Sequence, residues 1–321
     1  MQTYPPFSIE SQRFNQDTYF GRLQRCFDIV DPRTLFVSEK TLQDSIKMIE
    51  DFKKGERNQL TDAQLWRARK IKEAIIHPDT GEKIFAPFRM SGYVPFGTLP
   101  VIGMLIPGAS FGQVIFWQWL NQSHNACVNY ANRNGTKATA ISSFIKSYFA
   151  AVASAISIAL SFSYVIKKSS RLSPEMKLFA SRFVAYPATS LANICNVCIM
   201  RSGELKDGID VEDENGNVIG VSKIAAKQAV FETALSRVFL PAPILIFPPL
   251  IMSALEKTRF LTKHRRLIFP VNVFVCTMSF GLALPFAIAL FPQQSKMLKE
   301  KLEPEIADKT KSLFVNFNKG L

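Results

Sequence analysis

Six of the seven carboxamides in the stretch 116–134, FWQWLNQSHNACVNYANRN, recur at helical spacing: Gln118, Asn121, Gln122, Asn125, Asn129 and Asn132. At about 100° per residue, their spacing places all six within an arc of roughly 100° on one helix face. Aromatic and aliphatic side chains (Phe116, Trp117, Trp119, Leu120, Val128) take much of the remaining surface. An amide offers donors and acceptors without charge, so such a face can hydrate or bind a small polar solute. The alternative is a helix leaving a bilayer, its amides bonding to loops and water. Asn193 and Asn196, one turn apart in a second apolar segment, are further candidates for the same polar pathway, with interhelical hydrogen bonding as the plainer role. Charge partners for a bound solute are scarce: Arg182, Lys146 and His124, with Arg201 and Arg237 at span ends. His124 is the side chain suited to titrate near neutrality.

These residues belong to a membrane protein. Long apolar runs begin after residue 92, at 93–120, 141–166, 178–200, 238–255 and 267–291, and none contains Asp or Glu. Lys146 and Arg182 bring charge into them near the ends, where a long side chain can snorkel to the interface. The fold class is therefore an all-α integral membrane protein with about five transmembrane helices and an N-terminal soluble helical cap. Its regions are the cap at 1–92, the transmembrane domain at 93–291 and a C-terminal tail at 292–321. Counted to Asn132, the first region has 40 residues, about 60 Å as one helix and twice a bilayer's hydrocarbon thickness. Pro95, Pro100 and Pro107-Gly108 interrupt it, which predicts a broken or re-entrant beginning and a better helix from about Phe111. The 141–166 run is rich in Ser and Ala, suited to close helix packing.

The cap predicts two amphipathic helices, one capped by Ser38 and ended by Gly55, the next opened by a capping box at Thr61 and Gln64. Asp31-Pro32-Arg33 and His77-Pro78-Asp79-Thr80-Gly81 have turn chemistry. Residues 208–220 carry a hairpin signal around Asn215-Gly216 and fail the calcium-loop spacing.

The net charge of +13 does not mark a nucleic-acid binder. Residues 1–92 carry 15 Lys/Arg against 13 Asp/Glu and the tail 6 against 4, so no concentrated basic face results. Five scattered cysteines argue against a disulfide framework, and Cys195-x-x-Cys198, in an apolar helix without nearby His, suits packing. No paired carboxylates, nucleophile constellation, phosphate loop or metal cluster points to an enzyme, a cofactor or a bound metal. The first 25 residues lack a signal-peptide core and make a poor cleavable presequence. The loops 167–177 and 256–266 hold nine Lys/Arg in 22 residues, against seven in the 57 residues of 121–140 and 201–237. For five crossings, the loop-charge rule puts the dense loops and the cap on the inner side and the tail opposite. A sixth crossing, from splitting 93–132, would break that agreement.

The chain resembles the sideroflexins, carriers of the mitochondrial inner membrane, along nearly its whole length. The resemblance rests on Asp31-Pro32-Arg33, the segment His77–Lys83, Arg89-Met90-Ser91, Phe116-Trp117-Gln118-Trp119, Asn121-Gln122-Ser123, Asn129-Tyr130, Asn132-Arg133, Met200-Arg201 and Asn318-Lys319-Gly320-Leu321. It implies a multi-span α-helical transporter of small metabolites, amino acids such as serine for some members and tricarboxylates proposed for others. It also implies a matrix-facing N-terminus without a removed presequence, and, by the five-crossing count, a C-terminus in the intermembrane space. His124 stands where the serine-carrying branch usually has Phe, and Cys198 lies where that branch has a nearby Pro. Both shift the expectation towards citrate or another amino acid. His77, Pro78, Asp79 and Thr80 form a family motif of unknown role. The expected function is transport of citrate or an amino acid, with membrane lipid as surroundings; the alternative is a non-transporting inner-membrane scaffold with unknown protein partners.

Overall fold

The computed structural model describes residues 4–9, 11–55, 60–78, 80–132, 141–213, 217–292, 294–310 and 312–319. In the cap, α1 (Tyr19–Ile29) precedes α2 (Glu39–Lys53) and α3 (Asp62–Ile75). The Ser38 hydroxyl accepts from Thr41 N at the start of α2, Gly55 follows its end at φ +87°, and Thr61 and Gln64 form the full capping box of α3. The apolar stripes of α2 and α3 pack on each other, burying Leu42, Ile49, Leu65, Ile71 and Ile75. Burial of such stripes, worth about 1.5–3 kcal/mol per large apolar side chain, holds the pair together.

The first membrane region is two helices: α4 (Tyr93–Met104) and α5 (Phe111–Ala131). Gly108 turns the chain between them at φ +69°, and Ser110 and Gln113 cap α5 with a second capping box. The break and the beginning of α5 at Phe111 match the sequence expectation. The two helices run antiparallel. Tyr93 faces Asn125 at one level, while Gly103 abuts Trp117 nearer the turn.

Then come α6 (Ile141–Lys168), α7 (Pro174–Ser181), α8 (Ala185–Met200) and α9 (Ser202–Asp207). A hairpin of β1 (Ile209–Glu212) and β2 (Val218–Ser222) leads into α10 (Lys223–Phe239), α11 (Ala242–Leu255), α12 (Arg259–Lys263) and α13 (Ile268–Ala289). Among the described residues, four stretches are long and apolar enough to cross a membrane: Phe144–Lys168, Pro174–Met200, Lys223–Leu255 and Arg265–Ala289. Two of them are bent, at residues 182–184 and at Leu240-Pro241. α5 has the length to cross, about 31 Å, and its amides alone keep it outside that apolar class. Alanines at 155, 159, 188 and 192, all fully buried, let α6 and α8 approach closely. The central core joins α4, α8, α11 and α13 through Val101, Ile102, Ala185, Leu245, Cys276 and Phe280.

The tail is not a loose extension. β3 (Gln294–Leu298), the short α14 (Pro304–Ala307) and β4 (Phe314–Asn318) fold back so that the sheet has the order β2-β1-β4-β3, all antiparallel. The 208–220 hairpin is therefore half of a four-stranded sheet whose other half is C-terminal; its Asn215-Gly216 turn lies outside the described residues. Val211, Val315 and Phe317 are fully buried beneath it, against Ala225 and Ala229 of α10.

The contacts at the ends of the helices correct the expected sidedness. Phe88 O accepts from Asn132 Nδ2 beside the C-terminus of α5, whereas Ala109 O accepts from Lys167 Nζ and Gly108 N donates to Ser181 Oγ. The 93–131 region thus goes out and returns, adding a leg to the five expected. Arg22 Nε in α1 donates to Ala289 O, Arg201 Nη1 bonds Lys319 O, and Arg182 pairs with Glu256 at the other end. Cap, sheet and tail share one end of the bundle; the cation-dense loops 167–177 and 256–266 share the other. The tail is not opposite the cap, because the proline- and glycine-broken first region forms a hairpin instead of one crossing.

Candidate functional site

The hairpin divides the amide face. Gln118, Asn121 and Gln122 are buried. Gln118 Oε1, Asn121 Nδ2 and Gln122 Nε2 have no hydrogen-bond partner within the protein, nor do the buried hydroxyls of Thr189 and Ser190 on α8. A buried polar group left unmet costs about 1–3 kcal/mol, so this concentration marks places built to meet water or a solute. One turn on, Asn125 Oδ1 accepts from Tyr93 Oη at 2.8 Å. Asn129 and Asn132 are exposed, and Asn132 Nδ2 serves as a cap bonding Phe88 O and Val128 O at 2.8 and 2.7 Å. The six amides are not one continuous lining. α4 begins opposite Asn125, and beyond it the face meets only the 86–88 turn through Asn132 among the described residues.

The start of α4 lies inside the bundle. Tyr93 stands 5.4 Å from Phe280, near the middle of α13, and stacks on His124 at 5.8 Å. His124 Nε2 is 3.2 Å from Pro87 O, a carbonyl that can only accept, which fixes the proton on Nε2. No side chain caps the N-terminus of α4, and the buried Ser91 Oγ immediately before it also has no partner. Arg237, near the middle of the Lys223–Leu255 span, is within electrostatic reach of Tyr93. Among the described residues it makes no ion pair and no hydrogen bond to another side chain. A phenol, an amide and a guanidinium without an ion pair together suit a carboxylate.

A cavity of about 380 Å³ opens at the end that carries the dense loops. Gln118 forms part of its wall, with Gly103, Ser163, Ser181, Lys167 and Lys177. It connects one partnerless amide with two cations.

The other expected residues sit elsewhere. Arg182 is held by Glu256 Oε2 at 2.6 Å and Ser253 at 3.3 Å, a tie between the α7–α8 bend and the end of α11. Lys146 is exposed on α6, and Asn193 and Asn196 are half-buried on α8. Arg201 is bound by Glu204, Thr233 and Lys319 O and anchors the tail. His77 is buried within its turn: Nδ1 accepts from Thr80 N, His77 O from Gly81 N, and Gly81 sits at φ +71°. Pro78 and Thr80 are exposed, and Asp79 lies outside the described residues. Asp31 caps a 3-10 turn at Pro32–Phe36 and bonds Arg33 and Lys70. These partners, Arg33 first, hold its carboxyl well below the usual carboxylate range. Among the described residues no three His, Cys, Asp or Glu converge on a metal position.

Sequence reasoning passed over Tyr93 and Ser91 and gave Arg237 only a span-end role. A signal existed: Ser236-Arg237 repeats Ser181-Arg182, and each precedes a helix bend.

These features define a multi-pass α-helical membrane protein with buried, partnerless polar groups on α5 and α8 and just before α4. The chain belongs to the sideroflexins, whose family profile covers residues 8–321. It is 55% identical to Sideroflexin-5 of Rattus norvegicus over 99% of this chain and 93% of the relative, and equally to that of Homo sapiens, with 94% of the relative covered. Sideroflexin-1 of Ovis aries is 37% identical over 99% of this chain and 98% of its own. No solved structure matches the chain.

Proposed function

We propose that this protein carries a small carboxylate-bearing metabolite, an amino acid or citrate, across the mitochondrial inner membrane. The carrying observation is Arg237, a mid-span cation without an ion-pair partner among the described residues and within electrostatic reach of Tyr93 at the start of α4. A charge inside a membrane protein is costly unless something compensates it, which makes such a residue a natural substrate contact. Broken helices whose N-termini face anionic groups near the bilayer midplane are a recurrent transporter device. One guanidinium balances one carboxylate, which favours an amino acid whose ammonium meets amide oxygens. Lys167 and Lys177 around the smaller cavity are the observation favouring citrate, which needs about three positive partners near neutral pH.

The cap faces the matrix, as the family resemblance implies, and the tail lies with it. The cation-dense loops then face the intermembrane space, so loop charge and resemblance point in opposite directions; accessibility measurements decide between them.

The test is counterflow uptake of labelled citrate, serine and alanine by purified protein in liposomes, with Arg237→Gln and Arg182→Gln alongside. Loss of one charge-assisted contact, about 1.5–3 kcal/mol, should raise the KM of the Arg237 variant roughly 10- to 150-fold. The Arg182 variant should lose stability before affinity. Unchanged uptake by folded Arg237→Gln removes the site assignment, and silence of the folded wild type towards all three solutes favours the scaffold reading.

A further inference from the structure

A cavity of about 1230 Å³ lies between the cap and the membrane bundle. It belongs neither to the α4 site nor to the smaller cavity. Its two walls differ in chemistry. The cap side supplies Arg13, Arg33, Arg67 and Lys70 against Asp28 and Asp31, an excess of two positive charges. The bundle side is largely apolar, formed by Val94 and Pro95 of α4 and by Met278, Gly281 and Leu282 of α13, with Thr277, whose hydroxyl donates to Val273 O, as its one polar side chain among the described residues.

The internal ion pairs show which cation is available. Lys70 bonds both Asp28 and Asp31, at 2.7 and 2.8 Å; Arg33 takes Asp31 at 2.6 Å, and Arg13 reaches Asp28 at 3.7 Å. Arg67 is exposed and has no such partner among the described residues. The apolar wall is continuous with the lipid-facing surface, because Phe274, Met278, Leu282 and Phe286 form an exposed stripe at four-residue spacing along α13. Two of its members, Met278 and Leu282, line the cavity. A molecule entering sideways from the bilayer would lay a hydrocarbon chain along that stripe and meet the cations at its polar end.

We infer that this cavity is a binding site for an anionic phospholipid, its acyl chain against Met278 and Leu282 and its phosphate against Arg67. Basic pockets beside membrane helices bind acidic headgroups through charge-assisted hydrogen bonds. The bound lipid would also join the cap to the bundle, since each wall belongs to one of them.

Native mass spectrometry of the delipidated full chain tests this. Phosphatidylglycerol and phosphatidylcholine of identical chains are the lipid probes, and glycerol 3-phosphate is the headgroup probe. Wild type should retain phosphatidylglycerol about tenfold over phosphatidylcholine, and Arg67→Gln should erase that preference, while Lys47→Gln, an exposed cap lysine outside the cavity, keeps it. Met278→Trp, which fills the apolar half without touching charge, should lower retention of phosphatidylglycerol and provides the reading if Arg67→Gln does not fold. Equal retention of the two lipids by wild type overturns the site. So does full retention by both variants, or binding of glycerol 3-phosphate as tight as that of the lipid.

Discussion

The close approach of α4 and α5 sets up the candidate site, and Gly103 is where it can be attacked. A Cβ built on Gly103 would lie 2.0, 2.3 and 2.3 Å from three ring atoms of Trp117. Ordinary carbon contacts are near 3.5–4 Å, so Gly103→Ala forces a separation of more than about 1 Å. The obstacle is a rigid indole that packs edge-on against Phe116 at 4.9 Å and cannot swing aside like a flexible chain end. Overpacking a well-filled contact costs about 1–3 kcal/mol, and three simultaneous overlaps put this substitution at the upper end. A loss of about 3 kcal/mol is roughly a hundredfold in the folded population. Thermal unfolding of detergent-purified protein, followed by near-ultraviolet circular dichroism, should show a clear fall in Tm. Gly103→Ala combined with Trp117→Leu should recover much of it, because the smaller side chain gives the methyl group space. The strain should also move Tyr93 away from Asn125, lowering uptake in whatever protein remains folded. A single variant that melts with the wild type would refute the close-packed hairpin and the site built upon it.

Other consequences follow from the same contacts. Tyr93→Phe removes the hydroxyl that donates to Asn125 and should cost about 1 kcal/mol of stability and raise KM severalfold in the liposome assay, with insertion unchanged. Asp31→Asn should loosen the cap by about 1–3 kcal/mol, discounted because Arg33 is largely exposed, and limited proteolysis at residues 1–92 would read this. The carboxyl of Asp31 is depressed in the folded protein, so its contribution is complete above the ordinary carboxylate pKa near 4 and disappears as pH falls further; hydrogen exchange of the wild-type cap should accelerate below about pH 4, and less so in Asp31→Asn. Tags on the two termini should become protease-accessible together, and a tag in the 167–177 loop from the opposite side; termini accessible from different sides would refute the hairpin geometry of 93–131.

Much of this architecture is legible in the residues because local chemistry decides it. Ser38, Thr61 and Gln64 cap where their types dictate, and Pro107-Gly108 breaks the first region just ahead of the helix that begins at Phe111. The sidedness was not legible. Three prolines and a glycine announce a break, yet nothing local says whether the chain continues across or turns back. That depends on Gly103 meeting Trp117, a pairing visible only in three dimensions. The sheet escaped for a related reason: β1 and β2 carry their own turn signal, but β4 finds β1 across more than a hundred residues and brings β3 with it, and β-pairing over such distances depends on fit more than on propensity.

The placement of charge shows why the amide pattern alone identified only part of the site. Periodicity reports which side chains share a helix face and is silent on what the neighbouring helices put against it. Arg182 and Arg237 look alike in sequence, each after a serine and each ahead of a bend. Their partners separate them. Arg182 meets Glu256 at the end of α11 and becomes a tie, whereas among the described residues no carboxylate pairs with Arg237, the residue proposed to meet an arriving one. The amides Gln118, Asn121 and Gln122 then acquire a direction, since they extend from the Tyr93–Arg237 level towards the cavity lined by Lys167 and Lys177. Under the proposed carrier function, cations at the mouth and at the inner end, joined by uncharged amides, would attract a carboxylate at both positions without trapping it between them.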